Sequence, residues 1–125
     1  MHYTEQPSRL DAHDDGDAGV LRLEGGGFLT ATIVEQAFSR MRDEGPVHPN
    51  VLIDLRDVAG YDSQAVARAR LLLQHAPAFG VRRIAFLASS GAVHAAAQVA
   101  SSRAEVPLRS FQSERSARDW LARAR

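Results

Sequence analysis

From Val51 onward the chain alternates three short apolar runs, "VLIDL" at Val51, "RIAFLA" at Arg83 and "PLRSF" at Pro107, with three stretches of helical period. Runs of this length, rich in Val, Ile, Leu and Phe, read as strands buried on both faces. The segments between and after them, Ser63 to about Ala78, "AVHAAAQVA" and Glu114 to Ala124, space their apolar residues by three and four. Strands separated by single helices cannot pair as hairpins, because each helix carries the chain back to the start of the next strand. The consequence is a mainly parallel sheet with helices packed over it. Ser113 stands where the last helix needs an N-cap.

Upstream, "GVLRLEG" at Gly19 to Gly25 gives one more short strand. The Asp and Gly residues before it favour a turn, so a strand starting near Tyr3 and joined across "DAHDDGDAG" completes an N-terminal antiparallel hairpin. "EGGGF" lacks the Gly-Lys-Ser/Thr of a phosphate-binding loop and reads as the loop by which this strand gives way to a helix. In "LTATIVEQAFSRMRDEG", Ile33, Ala37, Phe38 and Met41 share one face, Thr32 and Glu35 form a capping box, and Gly45-Pro46 ends the helix. The expected fold class is a single α/β domain over residues 1–125: a mixed, mostly parallel sheet, an antiparallel hairpin at its N-terminal end and about four helices.

Charge and composition exclude several functions. The chain has no cysteine and no apolar run long enough to span a bilayer, and its first residues are polar and acidic, so a cytoplasmic protein without membrane insertion is expected. The formal charge is zero, yet residues 1–63 hold 12 acids against 5 arginines and residues 64–125 hold 3 against 10. All 15 basic residues are arginine, which suits a GC-rich coding sequence and carries no function by itself. The arginines of the second half are spread over several helices with few aromatics between them, so no nucleic-acid partner is expected. No metal or cofactor is expected either. His2, His13, His48, His75 and His94 show no zinc spacing, and the calcium-like start at Asp11, His13, Asp15 and Gly16 has Arg22 where a bidentate acid is required. Ser63 with His75 or His94 lacks the nucleophile elbow, which argues against an enzyme.

The informative stretch is "LIDLRDVAGYDSQA", residues 52–65. In a parallel sheet the carboxyl ends of the strands meet the N-termini of the following helices, and this edge carries function. Asp54, Asp57, Asp62 and Ser63 fall near it. Ser63 can cap the helix or carry a phosphate at the helix N-terminus, and both roles are physically allowed. Tyr61 can likewise contact a partner or fill the gap between strand and helix.

This stretch resembles the sulfate transporter and anti-sigma-factor antagonist (STAS) domains, especially the bacterial SpoIIAA-like group. There a "vvlDl" strand leads through a short loop to an Asp-Ser or Asp-Thr pair opening a helix. "AFGVRRIAFLA", "GAVHAAAQVA" and "PLRSFQSERSARDWL" resemble the strand, helix and closing strand-helix that follow, so the similarity covers about residues 18–122. The resemblance implies a non-enzymatic bacterial regulatory protein in signal transduction, partnered by an anti-sigma factor with serine kinase activity or another signalling protein. It implies Ser63 as phosphoacceptor, with Asp57, Gly60, Tyr61, Asp62, Gln64 and Ala65 as partner contacts. The family's usual small residue and Gly after the phosphoserine are replaced here by Gln64 and Ala65. "LRDVAGYD" and the C-terminal run are equally close to the SpoIIAA-like branch that resembles the CRAL-TRIO lipid-transfer fold. That similarity implies a small-molecule or lipid-binding module, with Ser63 only a cap.

Overall fold

In the computed structural model, which describes residues 8–14, 19–44 and 49–123, the apolar runs form strands that lie side by side in chain order. The elements are β1 (Arg9–Asp14), β2 (Val20–Leu29), α1 (Ala31–Glu44), β3 (Asn50–Tyr61), α2 (Ser63–Gln74), a 3-10 turn (Ala76–Phe79), β4 (Arg83–Leu87), α3 (Gly91–Ala100), β5 (Leu108–Phe111) and α4 (Glu114–Ala122). They build one five-stranded sheet, β1-β2-β3-β4-β5, antiparallel between β1 and β2 and parallel elsewhere. The mixed, mostly parallel sheet, its antiparallel hairpin and the four helices are as expected.

Each parallel strand is added on the same side of its predecessor, so right-handed crossovers put α1, α2 and α3 on one face of the sheet. There Leu21, Leu23, Val51, Ile53, Ile84 and Phe86 pack against residues such as Phe38 and Met41 of α1, Leu73 of α2 and Val93 and Ala97 of α3. The strand period of two sends Val20, Leu52, Ala85 and Leu87 to the opposite face, where Ala117 and Leu121 of α4 cover them. A strand with both faces covered is mostly apolar, and β4 is so from Ile84 to Leu87.

Several local expectations are corrected. β1 occupies part of the stretch read as a turn, and pairs from Arg9 opposite Gly26 to Asp14 opposite Leu21. The cause is alternation: Leu10 and Ala12 pack against the core while Asp11 and His13 are exposed. Tyr3, His2, His48, Asp15, Gly16 and Gly45-Pro46 lie outside the described residues. "GGGF" is strand rather than loop. A Cβ on Gly25 would come within 3.1 Å of Val58 and 3.3 Å of Leu10 and Leu55, so glycine here lets three side chains close over the backbone. β3 likewise continues through "RDVAGY", which keeps pairing with β2 by means of two bulges, one between the pairs Glu24/Asp54 and Gly26/Asp57 and one between Gly27/Val58 and Phe28/Gly60.

Helix ends moved too. α1 starts at Ala31 and the Ile33 amide donates to Thr30 Oγ1 at 3.4 Å, so Thr30 is the cap and Thr32 with Glu35 already lie inside the helix. α2 stops at Gln74 rather than near Ala78, because Pro77 would clash with the carbonyl of Leu73 in a continuing helix.

Candidate functional site

Every parallel strand ends by exposing the unpaired amides of the helix after it, and a polar side chain meets them each time. Besides Thr30, Asp62 accepts from the Ala65 amide at 2.7 Å, Ser90 from Val93 at 3.1 Å and Ser113 from Ser116 at 3.4 Å. The expected cap at Ser113 is observed. The expected cap at Ser63 is not, because Asp62 is the last extended residue (φ −94°, ψ 166°) and its carboxylate reaches back into the first turn. Ser63 is the first helical residue, exposed, and its hydroxyl has no hydrogen-bond partner among the described residues. Asp62→Ala should therefore cost about 1 kcal/mol in urea denaturation and Ser63→Ala no more than about 0.5 kcal/mol. The reverse order would return the capping role to Ser63.

The neighbours of Ser63 divide by burial. Asp57 and Gln64 are exposed and Asp62 is half-buried. Tyr61 packs its ring against the core and donates its hydroxyl to the Ala92 carbonyl at 3.2 Å, which ties the end of β3 to the first turn of α3. Gly60 lies under the Phe28 ring, whose nearest carbon would be 3.1 Å from a Cβ placed there. Ala65 is only 3% exposed and belongs to the core, so its side chain offers no surface to a partner. Phe28, 48% exposed at the end of the adjacent strand, is the residue that sequence reasoning missed. The signal was the matching "GGF" and "AGY" at the ends of two neighbouring strands, a glycine beside an aromatic in each.

Asp54 is not part of this edge. It lies within β3 on the α4 side and accepts from Arg22 at 2.5 Å and from Arg56 at 3.1, 3.0 and 2.8 Å. Glu114 of α4 accepts from Arg56 at 2.9 Å, Arg22 at 3.3 Å and Arg118 at 2.8 Å. Burial pushes the Asp54 carboxyl up, but the hydrogen bonds and charge of Arg56, with the charge of Arg22, outweigh it and hold the group below its ordinary value. The hydrogen bond from Arg118 does most to hold Glu114 low, against burial and with help from Arg22. A carboxylate surrounded by guanidinium groups is a poor proton acceptor, so the cluster is structural. Single charges of opposite sign inside "VLRL" and "VLID" were the sequence signal for it.

His75 follows the last residue of α2, which places it about 18 Å along the helix from Ser63. Among the described residues no three His, Asp or Glu side chains cluster to hold a metal ion, and no helix is long and apolar enough to cross a membrane. Beneath α1, α2 and α3 lies a cavity of about 70 Å³ lined by apolar and aromatic side chains, Leu23, Phe38, Ile53, Tyr61 and Phe86 among them.

Comparison with known proteins agrees with this architecture. The SpoIIAA-like family model matches residues 20–122. No curated protein sequence matches significantly. An anti-sigma factor antagonist from Mycobacterium paratuberculosis is 16% identical over 95% of this chain and 99% of its own, with a TM-score of 0.70. An uncharacterised protein with a SpoIIAA-like fold from Shewanella loihica is 20% identical, covering 96% of this chain and 99% of its own, with a TM-score of 0.68. The Bacillus cell fate determinant SpoIIAA in its phosphorylated form is 16% identical over 90% of this chain and 98% of its own, with a TM-score of 0.62. Identities this low speak for a shared fold.

Proposed function

Because this chain belongs to the SpoIIAA-like family, we propose that it is a non-enzymatic regulatory module of the bacterial cytoplasm that binds a protein partner as anti-sigma-factor antagonists do. Its docking edge is the end of β3 and the start of α2, and phosphorylation of Ser63 switches it. The observation that carries this reading is the division of labour between Asp62 and Ser63. Asp62 caps the helix, which leaves the Ser63 hydroxyl exposed and without a structural task.

The chemistry is a transfer from ATP. The Ser63 oxygen bonds to the γ-phosphorus as the bond to ADP breaks, and the hydroxyl proton leaves to a base of the kinase. The product adds a charge of about −1.5 to −2, which the amides at the start of α2 favour and the Asp62 carboxylate opposes. Unmodified, the edge offers Phe28 over Gly60 as an apolar anchor, with Asp57, Asp62 and Gln64 along the end of β3 and the start of α2. Phosphorylated, it must desolvate a dianion before a partner can cover that anchor, so the partner leaves. Gln64, larger than the family's small residue, narrows the approach to Ser63 and selects the kinase that can act.

Incubation with ATP and a co-encoded serine kinase should add one phosphate, and Ser63→Ala should abolish it. An unchanged mass with every kinase encoded nearby would sink the phosphoswitch. The apolar cavity favours a second reading, a small-molecule module. Its 70 Å³ is about half the volume of an engineered cavity of roughly 150 Å³ that holds benzene, so a whole lipid would have to spread the helices. Lipid retained in native mass spectrometry would support that reading.

A further inference from the structure

Strand order in this sheet converts position in the sequence into position in space. β1 lies at one edge of the sheet and β5, in the arginine-rich second half of the sequence, at the other. Among the described residues β5 is bonded only to β4: Pro107 and Phe111 accept from the amides of Ile84 and Ala88. By the alternation of a parallel ladder, Leu108 and Ser110 therefore turn their N–H and C=O groups to the open edge.

Two arginines near this edge are held against aromatic rings. The Arg109 guanidinium lies 5.4 Å from the centre of the Phe111 ring and 5.9 Å from that of Trp120, and Arg83 lies 4.7 Å from Trp120. Arg83 also donates to the Trp120 carbonyl at 2.7 Å, which fixes the residue that Arg109 rests on. Among the described residues neither arginine meets a carboxylate. Stacking uses the face of a guanidinium and leaves its N–H rim free for an acid. Exposed Arg103 and Glu105 precede the strand, exposed Arg115 follows it, and exposed Asp119 adjoins Trp120, so arginines outnumber acids along this edge.

We propose that the open edge of β5 docks an acidic, extended segment of a partner protein, which adds as a sixth strand and places a carboxylate on Arg109. Main-chain bonds to Leu108 and Ser110 supply the register, and the arginines supply the preference for acidic side chains. The surface is separate from the Ser63 edge and stands whether or not Ser63 is phosphorylated.

Trp120 is the single tryptophan of the chain, so its fluorescence reports on this surface. Titration with an octapeptide of alternating Glu and Val should give a saturable change that weakens with salt. Arg109→Glu should weaken it about tenfold or more, and Ser110→Pro, which keeps the charge and removes an outward N–H, should do so too. The same peptide with proline at alternate positions should fail to bind, a comparison that needs no variant to fold. Equal binding of the proline peptide, insensitivity to Arg109→Glu, or no saturable change would each overturn the proposal. So would concentration-dependent self-association abolished by Arg109→Glu, which would assign the edge to a second copy of the chain.

Discussion

Asp54→Ala should destabilise the fold by about 3 kcal/mol, the cost of removing one partner from a buried ion pair. The side chains of Arg22 and Asp54 are 11% and 9% exposed, so losing the carboxylate strands a guanidinium where water cannot replace it. Glu24 and Glu114 remain within 3.3 Å of Arg22, which keeps the loss at the low end for a buried pair. Replacing Arg22 by Met and Asp54 by Leu together should cost less than Asp54→Ala alone, since no charge is then left without its partner. Urea denaturation of the three proteins checks this, and a double variant worse than the single would refute it. The same network sets the acid limit. Asp54 and Glu114 titrate below their ordinary values of 3.8 and 4.5 in the folded protein, so the unfolded chain takes up protons first as the pH falls. Their contribution is complete above those ordinary values and is lost as the pH drops through the lower folded ones. Asp54→Ala should flatten that acid slope.

Leu23→Ala should cost about 4 kcal/mol, near the upper part of the range for leucine truncations. Leu23 is fully buried in β2 and lines the cavity beneath the helices. Its removal enlarges a void that already exists, and the cost of such truncations grows with the volume left empty. Benzene should restore part of the loss by binding the folded state alone. A loss below about 2 kcal/mol would mean that the helices settle into the space.

Much of this fold is legible in the amino-acid sequence. Short continuous apolar runs and period-3.6 patterning after Val51 locate three strands and three helices, because burial on both sides of a parallel sheet leaves little freedom in residue type. What failed was local chemistry overruled by pairing. Gly25 to Phe28 and Ala59 to Gly60 have the composition of loops, yet Gly26, Gly27 and Phe28 pair with Asp57, Val58 and Gly60 across β2 and β3. The capping positions slipped for a similar reason: the cap is the last extended residue, and strand pairing decides which one that is. Asp62 amide bonding to the Leu29 carbonyl keeps the chain extended through Asp62, so the helix opens at Ser63. The apolar run "VLIDL" ends one residue after Asp54, which by sequence alone puts Asp54 near the functional edge. Since the strand runs seven residues further, Asp54 falls in its middle.

The placement of α4 has a consequence for biosynthesis. A sheet whose strands lie in chain order can be assembled as it is made, each new strand finding its neighbour already present. Among the described helices α4 alone packs on the opposite face, over Val20, Leu52, Ala85 and Leu87. Until it emerges from the ribosome, that row of apolar side chains is open to other nascent chains, and Arg56 lacks the Glu114 carboxylate. A translation stall before Glu114 would thus release a nearly complete sheet with one adhesive side, a natural client for a chaperone.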